Sequence, residues 1–278
     1  MTAVLKISVQ DGAVLASDSR TTIIHNGGPT QVFDGVKKLF VLHKDVPIAM
    51  MAWGLNRVGG VPVAQLLQEV RDRFEGVAGE FADWKLDPST ADLREVAKKV
   101  ANFLFHDHYL PASKTRPEKA DISLHFAGFS HDGRNPEQVE YILSGEHIRG
   151  PEHAHTKAVQ VNYNGTYTSR IMGSMDPRTI PVIVKAGVDE GTLRKAAGQL
   201  SSLSLRRLLA PAMPLQEVAA LARCLMNSEI VFNRYGPEPD IVGGDIQMIV
   251  VDRTGCREML FKTHGFEIPP GVWRNGNA

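Results

Sequence analysis

Residues 2–18, Thr-Ala-Val-Leu-Lys-Ile-Ser-Val-Gln-Asp-Gly-Ala-Val-Leu-Ala-Ser-Asp, decide how the chain folds. Two apolar runs, 3–9 and 13–18, flank Asp11-Gly12. Asp-Gly between β-prone runs is a hairpin signal. Folding one run onto the other carries Asp18 back to within a few residues of Thr2. A second hairpin follows. Lys38-Leu-Phe-Val-Leu42 reads as its outgoing strand, His43-Lys-Asp45 as the turn, and Pro47-Ile-Ala-Met-Met-Ala-Trp53 as the return. The return strand is apolar on both faces, so it is expected to be central and covered on both sides. His25-Asn-Gly-Gly-Pro29, between the hairpins, reads as a polar loop.

Helices come next. Val63, Leu66, Leu67, Val70 and Phe74 recur at helical spacing. A second helix carries Leu93, Val96, Ala97, Val100, Phe103 and Leu104, with Ser89 or Thr90 as its expected cap. Pro111 to Pro117 reads as a loop. Strands are expected at 122–129, 138–143 and 158–163, and the stretch 177–209 reads as mostly helical. A third long helix runs from Leu215 to Phe232. Strand 245–251, a turn at Arg253-Thr-Gly255 and strand 257–262 close the pattern, and the tail after Phe266 is expected to be loose. Regular β-α alternation, the mark of a parallel doubly wound sheet, does not occur. The order predicts an α+β layered domain of mainly antiparallel sheets covered by helices.

Composition narrows the function. The 278 residues carry 31 Lys+Arg against 31 Asp+Glu, a balance that argues against a chain built to coat nucleic acid. Hydrophobic content of 43% against 22% charged is that of a globular chain with a substantial core. Two cysteines exclude a disulfide framework and favour a cytoplasmic setting. No apolar run approaches a membrane span, and the N-terminal residues lack the pattern of a signal peptide. The chain is therefore expected to begin directly with folded protein.

Chemistry enters at Met1-Thr2. A small second residue permits loss of the initiator Met, which leaves Thr2 with a free amine. The α-amino group has a reference pKa near 7.7–8, so it is partly neutral at working pH and able to take the hydroxyl proton. Threonine with its own amine is a recognised nucleophile–base pairing. Asp18 is a carboxylate within reach of that amine or of a lysine. Lys37 and Lys38 alternate, so one faces inward, and a buried lysine beside a carboxylate tunes a nearby hydroxyl. Gly54 ends the return strand, where a backbone N–H can face an oxyanion.

Together these residues resemble the N-terminal part of proteasome β-type subunits, the threonine-type N-terminal-nucleophile (Ntn) hydrolases. The resemblance rests on the Thr-initiated strand, Asp-Gly-Ala-Val-Leu-Ala-Ser-Asp-Ser-Arg (11–20), Val-Lys-Lys-Leu-Phe (36–40) and Ala-Trp-Gly-Leu (52–55). It implies a four-layer αββα sandwich with two mainly antiparallel sheets, spanning 1–266 as one domain. Insertions are expected near 76–90 and 177–213, and 267–278 form the tail. It implies Thr2 as nucleophile, Asp18 as orienting carboxylate, Lys38 as charge-tuning residue and Gly54 as oxyanion donor. Thr21, Val36 and Ala52 then surround the substrate. Ile171-Met-Gly-Ser174 is similar to the family's Gly-Ser segment, and Asp240-Ile-Val-Gly-Gly244 to the segment that supports the site. This adds Ser174 and Asp240 to the catalytic set. Val242 stands where the family usually has serine.

The implied activity is threonine-type peptidase action on peptides or unfolded proteins, without a cofactor. The implied assembly is a homo-oligomeric ring or stacked ring, with an ATP-dependent unfoldase as possible partner and neither nucleic acid nor membrane. A non-peptidase amidase on the same fold and a catalytically silent structural subunit are the alternatives. His106-Asp-His108 and His153-Ala-His155 are incomplete as zinc sites, so no metal is expected. Cys224 reads as core, and Cys256 carries no catalytic signal.

Overall fold

The computed structural model describes residues 2–25, 28–77, 79–115, 120–131, 133–155, 159–173, 179–235 and 241–263. The chain opens with β1 (Val4–Val9), β2 (Gly12–Ser17), β3 (Thr21–His25), β4 (Gly28–Phe33), β5 (Leu39–Val41) and β6 (Ile48–Gly54). The short β7 (Arg57–Val58) and β8 (Val61–Pro62) lead into α1 (Val63–Glu75) and α2 (Leu93–Asn102). A π-helical segment, Phe103–Tyr109, joins α2 to α3 (Leu110–Thr115). Then come β9 (Ile122–Gly128), β10 (Glu137–Ser144), β11 (His147–His155), β12 (Gln160–Asn164), α4 (Thr166–Gly173), α5 (Ile180–Lys185), α6 (Glu190–Leu208) and α7 (Leu215–Tyr235). The last strands are β13 (Ile246–Asp252) and β14 (Gly255–Phe261).

Among the described residues the strands form two five-stranded antiparallel sheets, β12-β1-β2-β13-β14 and β11-β10-β9-β6-β5, and two ribbons, β3-β4 and β7-β8. The fold is thus mixed α and β with several antiparallel sheets. The β1–β2 hairpin turns where Asp11-Gly12 predicts, pairing Val4 with Ser17 and Val9 with Gly12. The second hairpin, β5–β6, lies in the other sheet.

Alternation along the strands sorts the core into three clusters. Ile48, Met50 and Ala52 of β6 join α1 and α2 residues such as Leu67 and Val100. Ala49 and Met51 of the same strand instead meet Val4, Leu15 and Ile249 of the first sheet. Leu5, Ile7 and Val9 of β1 pack with Val218, Ala222 and Leu225 of α7. The inner faces of the two sheets therefore face each other, with helices against both outer faces. Strand β6 is covered on both faces as expected, one strand in from the edge of its sheet.

Several expectations need correction. Asp92, not Ser89 or Thr90, caps α2; its carboxylate accepts from the N–H groups of Arg94 and Glu95, the second and third donors beyond it. Pro111 is helical rather than in a loop. It follows directly on the π-helical segment, whose widened turn already departs from the regular bonding that a proline interrupts. Strand β11 is an unforeseen edge strand whose Gly150-Pro151 and charged residues suit an edge. Of the expected loop 25–29, His25 ends β3 and Gly28 and Pro29 open β4, in a ribbon that pairs with neither sheet, and Asn26 and Gly27 lie outside the described residues. Cys224 is exposed, because it falls off the Val218–Ala222–Leu225 stripe that α7 buries. The tail 267–278 lies outside the described residues. No described helix is long and apolar enough to cross a membrane.

Leu15 is fully buried between the sheets. Leu15→Ala is expected to lower unfolding free energy by about 2–5 kcal/mol, measured by urea denaturation; a loss under about 1 kcal/mol would show that the inter-sheet cluster is not a close-packed core.

Candidate active site

The site forms where the two hairpins meet. Asp18 follows directly on β2, and the pairing with β1 continues past the strand ends: Asp18 N–H donates to Ala3 O at 3.2 Å. Lys38 directly precedes β5, and its carbonyl accepts from Ala52 N–H of β6 at 2.9 Å. Alternation turns Lys38 inward, at 6% exposure, and Lys37 outward to a surface ion pair with Glu258. One hairpin thus supplies the carboxylate from the first sheet, and the other supplies the ammonium from the second.

Lys38 Nζ donates to Asp18 Oδ1 at 2.6 Å and to the Arg20 carbonyl at 2.7 Å, and lies 3.4 Å from Thr2 Oγ1. Three acceptors thus meet the three donors of an ammonium. Asp18, fully buried, is equally satisfied. Ala3 N–H reaches Oδ1 at 3.1 Å, while Gly243 N–H and Arg20 N–H reach Oδ2 at 3.1 and 3.3 Å. Burial pushes the Lys38 ammonium below the ordinary lysine range, against the pull of Asp18. Burial likewise pushes the Asp18 carboxyl up, against the pull of Lys38 and the N–H donors.

The Lys38 backbone is held as firmly as its side chain. Gln247 of β13 accepts from Lys38 N–H at 2.9 Å and donates to Val36 O at 2.8 Å, clasping segment 36–38 from the opposite sheet. Val36 N–H donates to Ser19 O at 2.9 Å. Gly243 completes the frame, since its carbonyl accepts from Ser19 N–H at 3.1 Å. A Cβ on Gly243 would stand 2.6 Å from Arg20 Cζ, so a larger residue there would displace the Arg20 guanidinium.

Gly54 ends β6 at φ +104°, where a Cβ would stand 2.0 Å from the Asp121 carbonyl oxygen. Only glycine fits. Ala52 N–H points to the β5 side, and strand alternation gives Gly54 N–H the same direction two residues on. There it borders the cavity. Thr2, Thr21, Val36, Lys38, Ala52 and Gly54 share one chamber of about 310 Å³, with Ile23, Phe33 and Phe40 adding apolar wall. A larger chamber, about 400 Å³, lies beyond Gly243 between Arg20, Asp34 and Arg234; neither Thr2 nor Lys38 lines it.

Seven predicted site residues are thus brought together. Ser174 and Asp240 lie outside the described residues. Val242 is buried among Met172, Ile230 and Ile246 and contributes packing. The sequence reading missed the Ala3, Arg20 and Gly243 backbone groups and the Gln247 clasp. Gln247 was detectable as a lone amide in the apolar strand 245–251. Among the described residues no three His, Cys, Asp or Glu side chains converge as a metal site. Burial pushes the Cys256 thiol up to about 12, away from nucleophilic use. The chain matches no family model and no curated protein.

Removing one member of a buried ion pair strands the other. Asp18→Asn and Lys38→Met are each expected to cost about 3–5 kcal/mol, and the double variant clearly less than their sum. Urea denaturation of the four proteins checks this; strict additivity would show that the pair is uncoupled.

Proposed function

We propose that the chain is a threonine-type N-terminal-nucleophile hydrolase that cleaves peptide bonds once Met1 is removed. One observation carries the reading: Lys38 Nζ lies between Thr2 Oγ1 and a fully buried Asp18 carboxylate, at the edge of a chamber large enough for a side chain. An ordinary N-terminal threonine has no use for a buried charge pair within reach of its hydroxyl. The facing sheets with helices on both outer faces support a four-layer αββα Ntn sandwich. The two unpaired cysteines suit the cytoplasm. A homo-oligomeric ring fed with unfolded protein by an ATP-dependent unfoldase is the setting that the resemblance implies.

In this mechanism the Thr2 α-amine takes the Oγ1 proton, and Oγ1 attacks the scissile carbonyl carbon. The Lys38 cation lowers the cost of the developing alkoxide, while Asp18 and the Arg20 carbonyl hold the ammonium in place. Gly54 N–H receives the oxyanion. Collapse breaks the C–N bond, and the departing amine takes the proton from the α-ammonium. An acyl ester remains on Thr2. Water, deprotonated by the same amine, attacks the ester, releases the acid and restores Oγ1–H.

Intact mass of the untagged protein is expected to show loss of one methionine. Thr2→Ala is expected to abolish peptide hydrolysis and labelling by an epoxyketone, whereas Thr2→Ser retains both. The rate should rise with pH through an ionisation at or below about 8, the α-amine beside a cation. Full activity in Thr2→Ala, or Met1 retained on active protein, would sink the reading.

A further inference from the structure

A second chamber lies beside the site and is unused by the mechanism above. Alternation along β1 puts Val4 and Lys6 on the inter-sheet face, in line with Thr2. One step along that face from Thr2, about 7 Å in a strand, a cavity of about 360 Å³ opens between the sheets. Val4 and its cross-strand partner Asn164 form one wall. Met51, Trp53, His125 and Glu140 form the other. Trp53 also borders the catalytic chamber, so it divides the two cavities, one over β5 and β6, the other over β6, β9 and β10.

The polar groups of this chamber are arranged with a direction. Lys6 is fully buried behind it and donates to Glu140 Oε1 at 3.0 Å. Its Nζ lies 3.4 Å from His125 Nδ1, which is 3.1 Å from Glu140 Oε1. Trp53 packs on the imidazole with ring centroids 4.2 Å apart. Glu140 is 23% exposed and His125 12% exposed, whereas Lys6 is sealed at 0%. Burial and the Lys6 charge push His125 down to about 2, so the imidazole is neutral. An occupant therefore meets a carboxylate edge, a neutral imidazole and the exposed Asn164 amide, with the cation behind them. Such a lining favours a cationic or donor-rich group and disfavours an anion.

We infer that this cavity is the leaving-side subsite of the enzyme and takes the basic side chain of the residue that follows the scissile bond. The inference rests on the hydrolase reading of Thr2. The acyl side occupies the chamber of Thr21, Val36 and Ala52, the carbonyl sits at Thr2 Oγ1, and the departing chain passes Trp53. Arg or Lys at its first position then reaches the Glu140 carboxylate.

The test uses full-length protein from which Met1 has been lost and quenched-fluorescence peptides of one acyl side. The residue after the scissile bond is Arg, Lys, Ala or Asp. Wild type is expected to cleave the Arg and Lys peptides with kcat/KM about tenfold above the Asp peptide. Lys6→Met/Glu140→Gln removes both charges together and should flatten that preference. Asn164→Lys, at an exposed position, should invert it without disturbing the buried pair. A flat or acid-favouring wild-type profile, or a basic preference surviving in both variants, overturns the subsite while leaving the hydrolase intact. Failure of wild type to cleave any of the peptides, and to react with the epoxyketone, overturns the hydrolase reading and the subsite with it.

Discussion

Asp18 ends the first hairpin in one sheet and Lys38 opens the second hairpin in the other, and their 2.6 Å ion pair joins the sheets at the site. Two charges taken from water cost several kcal/mol each before any attraction repays them (of this order). The structure offsets that cost with hydrogen bonds from distant segments. Ala3 comes from the chain start, Gly243 from just before β13, and Arg20 gives both its N–H and its carbonyl. Gln247 then fixes the Lys38 peptide from β13. The pair is therefore satisfied only when β1, β2, β5, β6 and β13 are all in place. Its contribution is to make one arrangement of the sheets much better than its neighbours, more than to add stability outright.

A second set of polar contacts runs between the sheets along the same face. Lys6 meets Glu140, and Ser8 meets the Gln138 amide. Strand β1 thus carries Leu5, Ile7 and Val9 toward α7, and Val4, Lys6 and Ser8 toward the facing sheet. All six of its residues are buried, so hydrophobicity alone sets its facing only weakly. A one-residue slip would send Lys6 into the apolar cluster under α7 and leave Glu140 without its cation. Polar complementarity thus fixes the facing that places Thr2 at the inter-sheet edge.

How much of this was legible depends on how local the signal is. The Asp11-Gly12 turn lies between two short runs, so the β1–β2 hairpin and the return of Asp18 toward Thr2 were legible, whereas the register was not, because a slip of one residue changes the face. Alternation required one of Lys37 and Lys38 to turn inward, and the family resemblance chose Lys38 and gave the lining by Thr21, Val36 and Ala52. The allotment of the two hairpins to different sheets was not legible, because it depends on β9, more than sixty residues beyond β6, pairing with it. The backbone donors at Ala3 and Gly243 were hidden for a related reason: any residue has an N–H, and only the fold aims it. Strand β11 was missed because an edge strand has no two-faced burial to impose a pattern.

The site joins two demands that usually conflict. A charge pair strong enough to shift a hydroxyl needs a low-dielectric surrounding, yet a substrate needs open access. Here the pair is nearly sealed, at 0% and 6% exposure, with Asp18 behind Lys38 and only Lys38 reaching the chamber, beside Thr2. Gly54 is what makes this geometry compatible with close backbone approach. A side chain at Gly243 would displace the Arg20 guanidinium. A side chain at Gly54 would collide with the Asp121 carbonyl and shift the strand end that borders the chamber. Glycine at Gly54 is therefore a requirement of the close approach of β6 to the Asp121 peptide, and that approach sets the strand end beside the buried pair.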